Sequence, residues 1–181
     1  SRLDAHRHVL FVYGTLKRNF HWNNKFLSMR GSFLAEAQTV EQWSLVVGRC
    51  GVPYMILQCK HPMQHHQVRG ELWEVDAETL AGLDDYEGIT KGYYGRTEIR
   101  CSNLSEPSRV MTAQMYGITN PQCFWKDEEL PALQCVQEYT LDMHNAMYRP
   151  VEHILLKQQL YLSEQRRYNS TDDHAAPDQT S

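Results

Sequence analysis

The chain is built around residues 68–99, which read VRGELWEVDAETLAGLDDYEGITKGYYGRTEI. The beginning of this segment is extended and apolar, which is typical of a buried strand. Its apolar members are Val68, Leu72, Trp73 and Val75. Asp76 follows them with the short acceptor side chain that favours a helix N-cap. The segment therefore predicts a strand, a helix that begins at Ala77, and a second strand in immediate succession.

Glu87 is the candidate catalytic residue of this segment. Four residues repeat at helical spacing, namely Leu80, Leu83, Asp84 and Glu87. If the helix continues to Gly88, Glu87 lies on the face that Leu80 and Leu83 press into the core. Loss of hydration there favours the neutral carboxyl form, so the group can exchange protons near neutral pH. The alternative is a helix that frays early and leaves Glu87 solvated at the surface.

Composition limits the function classes. The chain has 181 residues, 41% of them hydrophobic and 22% charged, which fits one soluble domain with a tail. No run approaches the roughly 18 apolar residues of a membrane span, so we expect no membrane role. A net charge of −4 provides no basic surface for direct nucleic-acid binding.

The cysteine pattern bears on the compartment. The chain has five cysteines, an odd number, and no C-x-x-C pair, which favours a reducing environment over a disulfide framework or a zinc knuckle. We therefore expect an intracellular, cytoplasmic protein. Because the chain begins with Ser1, any targeting peptide before it is not readable, and a processed mitochondrial form stays open.

A second candidate element follows the first predicted strand at residues 8–13. That strand ends at Gly14, and Gly14-Thr15-Leu16 interrupts it. The backbone N–H groups of such a corner are able to bind an anion. The alternative is a tight turn that needs glycine only for its φ angle. Lys17 does not complete a phosphate loop, because the G-x-x-x-x-G-K-[ST] pattern is absent.

The remaining pattern predicts an α+β fold, a small mixed β-barrel with short helices. Further strands are expected at 33–40, 43–47, 52–57, 93–100 and 110–117, with a short helix at 22–29. The polar segment 60–67 contains His61, His65 and His66 but no carboxylate or cysteine partner. We interpret it as a solvated hairpin loop and predict no metal site.

The C-terminal part has a helical pattern and extends the barrel. One apolar stripe begins after residue 128, Pro150 interrupts it, and a second stripe follows. We therefore expect a barrel domain at 8–127, a helical extension packed on it at 128–164, and a disordered polar tail at 165–181. The extension also offers a surface for a protein partner.

Two motifs together resemble the gamma-glutamyl cyclotransferase-like superfamily. The first is residues 11–18, FVYGTLKR, and the second is residues 68–76, VRGELWEVD, followed by residues 83–87, LDDYE. Both occur in the expected order. The resemblance implies a small mixed barrel that converts a γ-glutamyl amine, or a related γ-glutamyl compound, to 5-oxoproline and a free amine without a cofactor.

The same resemblance implies a role for individual residues. Glu87 would be the acid/base. The substrate-binding loop would be formed by Tyr13, Gly14, Thr15 and Leu16. Tyr94 and Tyr116 would also contact the substrate, where a tyrosine hydroxyl could stabilise the developing oxyanion. The alternative for these two tyrosines is packing in the core with a hydrogen-bonded hydroxyl. Glutathione is a rival substrate. A catalytically silent fold that acts as a binding or assembly subunit through its C-terminal helices is the alternative function.

Overall fold

The protein forms seven strands in a computed structural model, which describes residues 7–87 and 94–172. The strands in chain order are β1 (Arg7–Val12), β2 (Gly31–Thr39), β3 (Ser44–Val47), β4 (Pro53–Ile56), β5 (Arg69–Asp76), β6 (Tyr94–Asn103) and β7 (Val110–Ile118). Each coincides within a few residues with a run of β-forming residues in the sequence. The predicted starting residue Tyr93 of β6 lies outside the described residues.

Five of the strands close into a mixed barrel, which confirms the predicted fold class. Neighbouring strands pair in the order β1-β5-β2-β6-β7. A parallel pairing between Leu10 of β1 and Gln114 of β7 closes the ring. The strand β4 extends the sheet from β7, and β3 pairs with β4. This arrangement brings the end of β1 close to both β7 and β4.

Four α-helices accompany the sheet within these ranges: α1 (His21–Phe26), α2 (Ala77–Glu87), α3 (Leu141–Met147) and α4 (Pro150–Asp172). The helix α2 begins at the predicted residue because the carboxylate of Asp76 accepts a hydrogen bond of 2.7 Å from the N–H of Thr79. The predicted stop, Gly88, lies outside the described residues. Within the described part of the chain, no helix has the length and apolar character needed to cross a membrane.

The two faces of the barrel sheet bury different clusters. Phe11 and Leu72 belong to one buried cluster together with the fully buried Met115. Leu10 belongs to a second cluster, in which Leu80 and Leu83 of α2 are also buried. The alternation along β1 therefore places one set of side chains in the first cluster and the other set against α2.

The chain divides into two compact units, residues 1–148 and 149–181. We expected the barrel domain to end at residue 127, but the first unit continues to Tyr148. The reason is that Leu130 and Tyr139 are fully buried in its core. Between them, the N–H of Val136 donates a 2.9 Å hydrogen bond to the carbonyl of Leu45, so this segment is tied to β3.

The first predicted C-terminal helix is consequently much shorter than its apolar stripe suggested. Residues 133–140 contain no helix, and α3 begins only after Thr140. The hydroxyl of Thr140 accepts a hydrogen bond from the N–H of Met143 at 3.2 Å and caps this helix. The residues before the cap are not helical, although their apolar residues have helical spacing, because this segment is hydrogen-bonded to β3.

The second unit contains α4, which is described here by itself. Its apolar residues Val151, Ile154, Leu155 and Leu162 are each more than half exposed. The helix continues to Asp172, beyond Gln165, where we expected a polar tail to begin. The rest of that expected tail, 173–181, lies outside the described residues.

Candidate active site

Glu87 is the last residue of α2 and is half-buried. The preceding turns anchor this helix, since Leu80 and Leu83 are buried at 5% and 0% exposure. Glu87 lies one turn beyond Leu83 on the same side. The side chain of Glu87 is therefore only partly accessible to water.

The charge of Glu87 acts on tyrosines from several elements at once. Burial raises the pKa of each of these phenols, and the negative charge of Glu87 raises it further. The phenols belong to Tyr13, Tyr54, Tyr86, Tyr94 and Tyr116. These phenols lie at the end of β1, in β4, in α2, in β6 and in β7. The predicted residues Tyr13, Tyr94 and Tyr116 are thus all among the phenols whose pKa the charge of Glu87 raises.

The hydroxyl of Tyr13 fixes the end of β1 to two other strands. It donates a 2.8 Å hydrogen bond to the carbonyl of Tyr116 in β7. It also accepts a hydrogen bond of 3.4 Å from the N–H of Met55 in β4. The Tyr13 proton is therefore used within the protein, and the residue holds the start of the following loop in place.

Gly14 is required for a reason that neither sequence interpretation contained. A Cβ at this position would lie 2.6 Å from Cγ of Pro53, the first residue of β4. Among the glycines of the described ranges, positive φ is found at Gly51 and not at Gly14. The tight-turn explanation from φ is therefore wrong. Glycine is needed because the proline ring packs directly on the loop backbone.

Three consecutive backbone N–H groups of the loop are without a hydrogen-bond partner in the described part of the protein. The N–H of Lys17 donates to the carbonyl of Gly14 at 3.0 Å, which closes a turn over residues 14–17. Within the described ranges, no protein acceptor receives the N–H groups of Gly14, Thr15 or Leu16. Gly14 and Leu16 are buried, and buried backbone donors require an acceptor. The geometry therefore suits a bound anion.

Tyr116 holds α2 against the sheet. Its hydroxyl donates a 2.5 Å hydrogen bond to Oδ1 of Asp84, one helical turn before Glu87. Nη2 of Arg96 in β6 lies 3.4 Å from Oδ2 of the same carboxylate. Sequence reasoning placed Asp84 on the inward face but assigned it no role, and it assigned none to Arg96. The sequence signal that could have identified Asp84 is its position, one helical turn before the candidate base Glu87.

Lys17 also has a role that the sequence did not indicate. The side chain is only 7% exposed, and its Nζ donates a 2.6 Å hydrogen bond to the carbonyl of Tyr139. Burial lowers its pKa. The ammonium group therefore ties the loop to the segment before α3.

Comparisons with known proteins identify the family of the chain. A family model described as gamma-glutamyl cyclotransferase, AIG2-like, matches residues 10–141. Gamma-glutamylaminecyclotransferase C of Danio rerio is 30% identical over 125 residues, covering 65% of this chain and 80% of that protein. The gamma-glutamylaminecyclotransferase of Rattus norvegicus is 36% identical over 88 residues, covering 46% of this chain and 57% of that protein. The chain thus spans little more than half the length of the rat relative.

A solved structure extends the similarity to the fold. The crystal structure of an AIG2-like protein from Mus musculus superposes with a TM-score of 0.66 at 28% identity. The match covers 80% of this chain and 97% of the mouse chain. The similarity in fold therefore extends over nearly the whole of the mouse chain.

Proposed function

Because the chain belongs to the gamma-glutamyl cyclotransferase, AIG2-like family, we propose that it converts a γ-glutamyl amine to 5-oxoproline and a free amine. Glu87 is the acid/base in this reaction. The observation that carries the proposal is a pair of hydrogen bonds that links the loop to α2. Tyr13, directly before Gly14, donates to the carbonyl of Tyr116, and the hydroxyl of Tyr116 donates to Asp84, one turn before Glu87. This link supports a site in which the carboxylate of Glu87 and the free N–H groups of the loop act on one substrate.

The chemistry requires few protein groups. Glu87 removes a proton from the α-ammonium of the substrate, whose nitrogen then attacks the γ-carbonyl carbon and closes a five-membered ring. The bond from that carbon to the departing nitrogen breaks, and Glu87 returns the proton to that nitrogen. The ring nitrogen gives up a second proton to the same carboxylate, and this proton leaves with the amine, which departs as an ammonium ion. Nucleophile and electrophile belong to one molecule, so the enzyme has only to fix the folded conformer.

The loop fixes that conformer. In our proposal the N–H groups of Gly14, Thr15 and Leu16 bind the α-carboxylate of the substrate, as their buried, unpaired arrangement suits. Tyr94 steadies the developing oxyanion from β6. The hydroxyl of Tyr116 is already donated to Asp84, so we assign Tyr116 to holding α2 rather than to the substrate.

The test is the substitution Glu87→Gln, with Asp85→Asn as matched control. Asp85 is exposed on the same helix, so its change alters charge to the same extent outside the site. We expect Glu87→Gln to lower kcat for 5-oxoproline release by about 10²- to 10⁴-fold, since general acid–base catalysis contributes that much. Asp85→Asn should retain parental activity. A Glu87→Gln variant as active as the parent would reject the assignment.

The substrate is identified by comparing leaving groups. The purified chain is assayed for 5-oxoproline with γ-glutamyl-ε-lysine, glutathione and γ-glutamyl-alanine at equal concentrations. We expect the highest kcat/KM with γ-glutamyl-ε-lysine, because two of the similar proteins described above are named gamma-glutamylaminecyclotransferases. A higher value with glutathione would assign the chain to the other reaction.

A second candidate function rests on α4. Its exposed apolar residues, Val151 and Ile154 among them, favour a binding or assembly role. The test compares the full chain with one that ends at Tyr148, because a deletion from Glu128 would also remove Tyr139 from the core. A parental chain with no turnover of any γ-glutamyl compound, together with a complex lost on truncation, would favour this function over the enzymatic one.

A further inference from the structure

Glu71 lies in β5 and is 7% exposed. Within the described ranges it is the one buried acidic residue. Removing a carboxylate from water costs several kcal/mol in effective terms, and an apolar residue of similar volume is often at least as stabilising. A buried carboxylate at this position therefore requires an explanation beyond packing.

The hydrogen bonds of Glu71 lead to the loop. Oε2 accepts the backbone N–H of Arg18 at 3.0 Å and Nε1 of Trp73 at 3.0 Å. Oε1 accepts Nε of Arg18 at 3.2 Å. Arg18 directly follows Lys17, the last residue of the turn that displays the free N–H groups. The carboxylate thus fixes the exit of the loop through both backbone and side chain.

Asn23 fixes the middle of the same loop. This side chain in α1 is 3% exposed, and its Nδ2 donates a 2.7 Å hydrogen bond to the carbonyl of Leu16. The carbonyl of Leu16 belongs to the peptide group that follows the last free N–H. Because a peptide group is planar, the hydrogen bond to this carbonyl fixes the orientation of the whole peptide group between Leu16 and Lys17.

We propose that Glu71 and Asn23 are positioning residues that hold the 14–16 N–H groups in the geometry that binds the substrate's α-carboxylate. Tyr13 fixes the entry of the loop, Asn23 its middle and Glu71 its exit. Neither Asn23 nor Glu71 contacts the substrate. The inference rests on the proposed function and assigns the loop's geometry to two residues outside it.

The role predicts a particular kinetic signature. The α-carboxylate is bound in both the ground state and the transition state, so a misplaced loop weakens both equally. We expect Glu71→Gln and Asn23→Ala each to raise KM by about ten-fold or more, because a ten-fold change corresponds to the loss of about one hydrogen bond. The value of kcat should stay within about three-fold of the parent. A role in stability alone would leave KM of the folded enzyme unchanged.

Matched controls are available on the same elements. Glu74→Gln alters a partly exposed carboxylate of β5 that pairs with Arg7, and Asn24→Ala alters the exposed neighbour of Asn23. Both should retain the parental KM. A second measurement avoids turnover: calorimetric titration of 5-oxoproline into Glu87→Gln, with and without Glu71→Gln, should show weaker binding in the double variant.

The outcomes separate the two proposals. An active parent whose Glu71→Gln and Asn23→Ala variants keep the parental KM overturns this inference alone, even if both unfold at lower temperature. An inactive parent rejects the proposed function and this inference with it. Should Glu71→Gln fail to fold, the KM of Asn23→Ala decides by itself.

Discussion

The loop at residues 13–18 and the helix α2 contribute to one candidate site but are held in different ways. The loop is fixed by buried groups from remote elements, as in the bond from Tyr13 to the carbonyl of Tyr116 and the bond from Arg18 to Glu71. The helix is fixed by its own cap and by lateral contacts at Asp84. Consequently, local sequence explains most of α2 and very little of the loop.

The glycines of the two regions make the contrast testable. A Cβ on Gly14 would lie 2.6 Å from Cγ of Pro53, whereas a Cβ on Gly82 of α2 would meet nothing within 4 Å. The same substitution should therefore have opposite effects in the two places.

The largest effect is expected for Gly14→Ala. The methyl group forces the loop or Pro53 to move, and overpacking of this kind costs about 1–3 kcal/mol of folding free energy. The displaced N–H groups should also lower kcat/KM by about 100-fold or more, because a small misplacement of the substrate has effects of that size. Chemical unfolding and steady-state kinetics measure the two effects. Parental kcat/KM in this variant would show that the loop does not bind substrate.

An intermediate effect is expected for Tyr116→Phe. The change removes the donor to Asp84 and frees the last turn of α2, so we expect kcat to fall by about ten-fold through displacement of Glu87. Loss of a hydrogen bond to a charged group should also lower the free energy of unfolding by about 1.5–3 kcal/mol.

The contact partner of Tyr116 provides the check. In a double-mutant cycle, Asp84→Asn and Tyr116→Phe should show an interaction energy of about 0.5–3 kcal/mol, as residues in contact do. Strictly additive effects would mean that this hydrogen bond does not couple α2 to β7.

The smallest effect is expected for Gly82→Ala. Gly82 is exposed in the middle of α2, so alanine should stabilise the protein by about 0.5–1 kcal/mol through helix propensity. Activity should remain parental, since the added methyl group reaches no group of the site. Chemical unfolding and the 5-oxoproline assay measure the two quantities. A loss of stability would indicate that α2 has neighbours at this position when the chain is in solution.

Much of the fold was predictable because the relevant signals are local. Asp76 supplied the cap of α2, and the spacing of Leu80 and Leu83 identified its buried face. The segment before α3 shows the limit of such signals. Its helical spacing was real, yet the N–H of Val136 pairs with β3 and Tyr139 fills the core, so tertiary contacts determined its conformation.

The sequence alone determined the approximate positions of the strands along the chain, the start of α2, and the two motifs that identify Glu87 and the loop at Gly14 as candidates. Only the tertiary structure revealed that Gly14 is needed for contact with Pro53, that Asp84 is held by Tyr116, and that Glu71 fixes the loop. The physical reason is distance along the chain. Caps and amphipathic faces depend on residues a few positions apart, whereas each of these contacts joins residues more than 30 positions apart.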